Sequence, residues 1–200
     1  MQRDRTLRTM QIAMSCISNI AAYRANWVKN NGVAELVVDR DFWVRLNGNF
    51  LDVAVLEWCK LFADNNGKHH WSCTFKKEWN KQLFAKMGMS QSKFKKELEL
   101  VSVYRNKFVA HLDDPIAMNY PYTEFMLTSV SYLHDCLKTH STTKGFFVGY
   151  YDSAKTLYER RLPFQCSWLS RFFTTELVFG GRWHPVPLSP LFASSFLRLW

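Results

Sequence analysis

Apolar residues recur at helical spacing through most of this chain's first 160 residues, and short polar stop signals separate the runs. In the first run the spacing lies close to the α-helical period of about 3.6 residues. Its apolar positions are Leu7, Met10, Met14, Ile17, Ile20, Ala21, Trp27 and Val28. The run predicts a helix over residues 6–29, which Asn30-Asn31-Gly32 ends.

The same reasoning predicts five further helices. Their expected ranges are 50–63, 75–87, 90–112, 122–138 and 150–161. Ser90 is the expected N-cap of the third of these, and Gly88 closes the helix before it. Residues 33–49 are ambiguous: residues 33–38 fit a short strand or part of a helix, and Asn47-Gly48-Asn49 predicts a turn. We therefore predict an all-α fold, a helical bundle over residues 1–162.

Residues 163–200 differ in composition from this bundle. They are rich in Phe and Trp, include four prolines and the adjacent pair Gly180-Gly181, and have Glu176 as their single acidic residue. We predict an irregular, aromatic-rich C-terminal tail. Three explanations stay open: the tail covers an apolar groove of the bundle, it mediates association, or it arises from a shifted reading frame.

Composition restricts the possible partners. The formal net charge is +9 and the pI is about 9.4, which favours an anionic partner such as nucleic acid. The five cysteines form no C-x-x-C pair, so neither a disulfide framework nor a zinc knuckle is predicted. No signal-peptide pattern and no apolar run of about 18 residues is present, so we expect a cytoplasmic protein without a membrane partner.

The predicted helix over residues 90–112 carries a charge where its apolar stripe should continue. The stripe steps by four, three, seven and four residues. Its members are Phe94, Leu98, Val101, Phe108 and Leu112. Arg105 occupies the position that continues it between Val101 and Phe108. A guanidinium facing a core is costly unless it is paired or lines a cavity, and Arg suits such a place if it holds a planar anion bidentately.

A histidine follows on the same predicted helix. His111 is six residues after Arg105, which corresponds to about 120° around an α-helix. The two side chains therefore do not share one helix face. The long Arg105 side chain, or a second subunit packed on the stripe, would be needed to bring them to one site.

Residues 104–113, Tyr-Arg-Asn-Lys-Phe-Val-Ala-His-Leu-Asp, resemble the motif of the HEPN superfamily. That motif is an Arg, a polar residue that is often Asn, a few further residues and a His. The longer form, with Ala before His and an acidic residue soon after, is similar to the branch found in phage abortive-infection systems. Residues 56–62 resemble the preceding helix of that branch. The resemblance covers about residues 1–160, with these two patches as its distinct parts, and excludes the tail.

The resemblance implies an all-α bundle, often a homodimer through the motif helix, that cleaves RNA without a metal or other cofactor. By carry-over, Arg105 grips the scissile phosphate, Asn106 orients the phosphate or the histidine, and His111 is the general acid or base. It further implies a role in phage defence or in a toxin–antitoxin system, with an antitoxin protein as a partner.

Each candidate residue also has a plain structural explanation. Arg105 could pair with a carboxylate such as Glu57 or Asp52. His111 could interact favourably with the dipole at a helix C-terminus, and Asn106 could form a hydrogen bond to a neighbouring helix.

Other residues leave similar alternatives. Lys93, Lys96 and Lys107 could follow RNA phosphates or form a solvated helix face. Trp71 and Trp79 could stack on bases or cover a core. A metal site at His69, His70 and Cys73 is not predicted, because a fourth ligand is missing.

Two other classes of function remain open at this stage. One is a non-catalytic helical module that binds nucleotide, RNA or a protein partner through the same groove. The other is an assembly protein in which the aromatic tail is the functional part.

Overall fold

The computed structural model describes residues 2–30, 33–36, 41–110, 120–146 and 153–161. These residues are mostly helical, and the predicted all-α fold is confirmed. The helices are α1 (Gln2–Ala25), α2 (Asp41–Phe62), α3 (Trp79–Met87), α4 (Gln91–Tyr104), α5 (Thr123–Thr139) and α6 (residues 154–161). A 3-10 turn over Trp71–Cys73 precedes α3, and a π-helical segment, Arg105–Ala110, follows α4.

A short hairpin interrupts the helices. Strands β1 (Trp27–Asn30) and β2 (Val33–Leu36) pair antiparallel, with Trp27 opposite Leu36 and Asn30 opposite Val33. The predicted extension of the first helix to residue 29 is therefore wrong. Two apolar residues at the end of a run are compatible with either period, and here strand pairing takes them out of the helix.

Helix α2 begins nine residues earlier than predicted, so the predicted turn at residues 47–49 is wrong. Asn47 is buried inside α2, and its side-chain amide lies 3.0 Å from that of Asn26. This tertiary contact offsets the local preference of Asn and Gly for turns.

The helices on either side of Ser90 also differ from the prediction. Helix α3 begins at Trp79 rather than at residue 75. The predicted N-cap is confirmed, because Ser90 Oγ accepts a bond from Lys93 N at 3.3 Å. The α-helix that Ser90 opens ends at Tyr104 and continues as the π-helical segment, so a single α-helix to residue 112 is wrong.

Helix α5 corresponds closely to the predicted helix over residues 122–138. Helix α6 begins at residue 154, within the predicted range of 150–161. The predicted start of that helix, His111, Leu112 and the tail over residues 163–200 lie outside the described residues. In the described part of the chain, no helix is both long and apolar enough to cross a bilayer.

An aromatic cluster joins α2, α4 and α5. The Trp58 ring stacks on Phe62 at 5.0 Å between centroids and meets Phe125 at 5.4 Å. Phe94 of α4 contacts the same two phenylalanines, at 6.4 and 5.1 Å. Trp58 Nε1 donates to Ser129 Oγ at 2.8 Å, so the polar atom of this buried indole is paired.

Helix α1 packs antiparallel along α2. Cys16 Sγ donates to the Ala54 carbonyl at 3.4 Å, whereas Asn26, the residue after the end of α1, lies beside Asn47, which is earlier in α2. The start of α1 therefore lies beside the end of α2.

Replacing Phe125 with Ala tests this cluster, with Phe42→Ala as the matched control. Phe125 is 3% exposed and Phe42 is 66% exposed. We expect the Phe125 change to lower the free energy of unfolding by about 3–5 kcal/mol, because it leaves a cavity between three helices. The Phe42 change should stay within about 0.5 kcal/mol. Urea denaturation of both variants measures this, and equal losses would contradict the assignment of the core.

Candidate functional site

Arg105 is the first residue of the π-helical segment and is held by two neighbours. Its Nη1 lies 2.5 Å from Asp64 Oδ1, and its Nε donates to Asn106 Oδ1 at 3.0 Å. Its side chain is 23% exposed. The guanidinium is thus fixed at the margin of the core with one part open to solvent.

The ends of two helices position this pair. Tyr104 is buried and its hydroxyl donates to Asp52 Oδ1 at 2.8 Å, which ties the end of α4 to the middle of α2. Asp64 follows the end of α2, where its backbone N–H donates to the Cys59 carbonyl at 2.9 Å. A carboxylate is unfavourable at the negative end of a helix dipole. The Arg105 guanidinium compensates for that placement.

The surroundings keep Arg105 charged, and they keep Cys59 and Tyr104 neutral. Burial by itself lowers the pKa of Arg105, but the bond to Asp64 and the charge interactions with Cys59 and Asp64 together outweigh it, and the net pKa is raised. Burial raises the pKa of the Cys59 thiol to about 12, against the opposing charge of Arg105. Burial, followed by the bond to Asp52, raises the pKa of Tyr104 far above its usual value. At neutral pH, Cys59 is therefore an unreactive thiol and Tyr104 a neutral donor.

The structural alternative for Arg105, an ion pair with a carboxylate, is confirmed, but the two partners named for it are wrong. Glu57 accepts a bond from Asn19 Nδ2 at 3.3 Å, and Asp52 accepts from Tyr104. The partner is Asp64, which sequence reasoning missed. Asp64 and Arg105 are 41 residues apart, and only the packing of α2 on α4 brings them together.

The structure brings together two of the three residues predicted to be catalytic. Asn106 is exposed and accepts a bond from Arg105, the residue before it. This is consistent with a positioning role and differs from the predicted alternative of a bond to another helix. His111 lies outside the described residues. The assumed step of 100° per residue between Arg105 and His111 does not apply to the π-helical segment, whose backbone bonds join residues five apart.

The three lysines predicted to bind RNA are all exposed. Lys107 lies in the π-helical segment, two residues from Arg105. Lys93 and Lys96 lie on α4, and Lys96 is nine residues, or about 14 Å along the helix axis, from Arg105. Lys93 and Lys96 therefore cannot contact the same phosphate as Arg105.

Trp71 and Trp79 belong to the core rather than to a base-stacking surface. Both are buried, and their rings stack on each other at 5.1 Å. The ring nitrogens of His70 lie 2.7 Å from Ser72 Oγ and 3.3 Å from the Phe62 carbonyl oxygen. Among the described residues, no three His, Cys, Asp or Glu side chains are grouped so that they could hold a metal ion.

The arrangement is suited to recognising an anion. The two described bonds of Arg105 use Nε and Nη1, and neither uses Nη2. A planar guanidinium whose orientation is already fixed binds a phosphate or carboxylate at low entropic cost. π-Helical turns inside helices are frequent at functional sites. The Asp64 carboxylate already occupies one edge of the Arg105 guanidinium.

Comparison with protein-family models, curated proteins and solved structures finds no match to this chain.

Replacing Asp64 with Asn removes this competing charge and keeps an acceptor oxygen. Because the pair is partly exposed, we expect the free energy of unfolding to change by less than about 1 kcal/mol. The affinity of Arg105 for inorganic phosphate should rise several-fold. The Arg105 Nε–H resonance, followed during a phosphate titration, measures this.

Glu124→Gln is the matched control. Glu124 pairs with Arg24 at the same distance of 2.5 Å, with side chains 48% and 30% exposed. Its removal should have a similarly small effect on stability and leave the phosphate affinity at Arg105 unchanged. An Asp64→Asn protein with unchanged phosphate affinity would show that Arg105 is only a structural partner.

Proposed function

We propose that this chain is a metal-independent endoribonuclease of the HEPN type, which acts in the cytoplasm. The observation that carries the proposal is the Arg105–Asn106 pair. The two residues bond to each other on a π-helical segment, with the guanidinium partly open to solvent. His111 follows this segment in the sequence, at the place that the resembling motif gives to its histidine.

The reaction needs no group beyond those residues and the RNA. The 2′-hydroxyl of the ribose attacks the adjacent phosphorus, and its proton passes to an imidazole. The bond to the 5′-oxygen breaks, and that oxygen takes up a proton from a second, protonated imidazole. The products are a 2′,3′-cyclic phosphate and a free 5′-hydroxyl. Arg105 stabilises the charge that builds on the phosphoryl oxygens, and Asn106 orients Arg105.

One imidazole cannot accept a proton and supply another in the same step, and a homodimer would supply two copies of His111. Leu100 and Val103, on α4 just before Arg105, support this arrangement. Their side chains are 57% and 42% exposed. The two side chains lie one turn apart on α4 and can pack together against a second copy of the chain. We propose a homodimer through this end of α4.

The resemblance of the motif to abortive-infection proteins supports a role in phage defence or in a toxin–antitoxin pair, with an antitoxin protein that blocks the site. The positive net charge supports RNA as the substrate.

A cleavage assay on a mixed RNA pool with EDTA present tests the activity. We expect the parent to give fragments that end in 2′,3′-cyclic phosphate. His111→Ala and Arg105→Ala should each lower the rate by about a hundred- to a thousand-fold, because each removes a group needed in the transition state. Arg45→Ala, which removes an exposed arginine on α2, is the matched control and should cleave like the parent.

The outcomes separate the proposal from its alternative. Cleavage at the full rate by the His111→Ala protein would contradict the proposed mechanism. RNA binding without cleavage by the parent would favour the non-catalytic binding module, in which Arg105 matters more than His111.

Leu100→Arg tests the homodimer. We expect light scattering to show a monomer, because a charge is costly in an apolar interface, and cleavage should fall with it. The added positive charge cannot repel RNA, so lost cleavage would reflect lost assembly. Phe42→Arg, at another exposed apolar position, should give the same molar mass in light scattering as the parent protein. A parent that is already monomeric and active would refute the dimeric site.

A further inference from the structure

Four positive side chains from three parts of the chain act on one histidine outside the site described above. Arg5 and Arg8 lie one turn apart on α1, Lys60 lies in the last turn of α2, and Lys68 precedes His69 in the loop after α2. They come together because α1 packs antiparallel on α2, so the first turns of α1 lie beside the end of α2. Arg8, Lys60 and Lys68 are exposed and Arg5 is half-buried. We call these four residues and His69 the His69 cluster.

The histidine at the centre is unusual in its bonding. Its Nδ1 is buried and has no hydrogen-bond partner among the described residues. Burial lowers the pKa of His69, and the positive charges of Arg8, Arg5, Lys60 and Lys68 lower it further. The imidazole is therefore neutral at neutral pH, and all four cations are close enough to act on it.

Two acidic groups near the cluster already have other partners. The positive charges of Lys60 and Arg8 lower the pKa of Glu57, but burial has the larger effect and the pKa is raised. Glu57 is half-buried and accepts a bond from Asn19 at 3.3 Å. Asp64, at the start of the same loop, is paired with Arg105. The positive charges of Arg5, Arg8, Lys60 and Lys68 act together on His69, and a bound anion would offset them.

The loop connects the His69 cluster to Arg105. Gly67 N donates to the Asp64 carbonyl at 2.6 Å, and His70 N donates to the Gly67 carbonyl at 3.2 Å. These two successive turns hold Lys68 and His69 close to Asp64. A flexible polyanion with one charge at Arg105 can therefore place a neighbouring charge at the cluster.

We propose that the His69 cluster is a second phosphate-binding site, which holds single-stranded RNA one or more nucleotides away from the phosphate at Arg105. The identity of the strand rests on the proposed function, and the anion site rests on the cluster alone. Because its members offer charge and no base-reading geometry, the site would bind the backbone without sequence preference.

The test is a binding measurement on the full chain with a labelled, single-stranded 2′-O-methyl RNA, which cannot be cleaved because its nucleophile is blocked. Fluorescence anisotropy between about 50 and 200 mM salt gives the dependence of log K on log salt. The variant is Lys60→Ala with Lys68→Ala. We expect the slope to fall in magnitude by about 1.4, or about 0.7 for each lost phosphate contact on a single strand.

The matched control is Lys81→Ala with Lys86→Ala on α3. It removes two exposed lysines and the same net charge, and Lys86, like Lys60, lies in the last turn of its helix. We expect the slope of the control to equal that of the parent. An equal fall in both double variants would mean that only net charge matters and would overturn the proposal.

A second readout follows the His69 imidazole by NMR, with its signal assigned from a His69→Gln variant. Added sulfate should raise the pKa of His69 in the parent, because a bound anion offsets the four cations. The same addition should have a much smaller effect in the Lys60→Ala, Lys68→Ala protein. An unchanged pKa in the parent, or no binding of the 2′-O-methyl RNA, would overturn the site.

Cleavage of unmodified RNA is measured separately. Absent cleavage with a reduced slope would refute the ribonuclease and leave the His69 cluster as a binding site. Normal cleavage with an unchanged slope would leave the ribonuclease and refute the cluster.

Discussion

The indole of Trp58 lies where α2, α4 and α5 meet, and the candidate site depends on that contact. Trp58 is fully buried against Phe62 and Phe125, and its nitrogen is bonded to Ser129. Because Phe94 packs on the same phenylalanines, the direction of α4 relative to α2 is set in this cluster. The residues that follow the two helices, Asp64 and Arg105, then come within bonding distance. Loss of the aromatic contacts would separate them without any change in the site itself.

The Arg105–Asp64 pair reconciles two unfavourable placements. A guanidinium near the core and a carboxylate at a helix C-terminus would each be costly alone. Paired, they orient the arginine before any ligand arrives. The same carboxylate weakens the binding of an incoming phosphate by like-charge repulsion. For the proposed nuclease this balance is useful, because a phosphate held too tightly in the ground state slows turnover and product release.

The sequence patterns predicted the parts of the fold that depend on local chemistry. The apolar period located the helices, and the hydroxyl of Ser90 located the start of α4. The patterns failed where tertiary contacts decide: Asn47 is helical because of its contact with Asn26, and Trp27 leaves α1 to pair with β2. Asp64 could not be predicted as the partner of Arg105, since nothing local distinguishes it from Glu57 or Asp52. The change to π-helical geometry at Arg105 likewise has no signal in the residue types.

Two basic surfaces could continue an RNA strand beyond Arg105, and their surroundings differ. The lysines of α4 are exposed, and Glu97 and Glu99 follow Lys93 and Lys95 at i, i+4 spacing on the same helix, so carboxylates partly neutralise them. In the His69 cluster, charges from three segments act on one imidazole, whose buried Nδ1 has no hydrogen-bond partner within the described part of the chain. Helix periodicity predicts the first surface and cannot predict the second, because only the antiparallel packing of α1 on α2 creates it. An RNA strand bound at Arg105 should therefore run towards the place where the start of α1 lies beside the end of α2. This path leaves the exposed face of α4 available for a second copy of the chain.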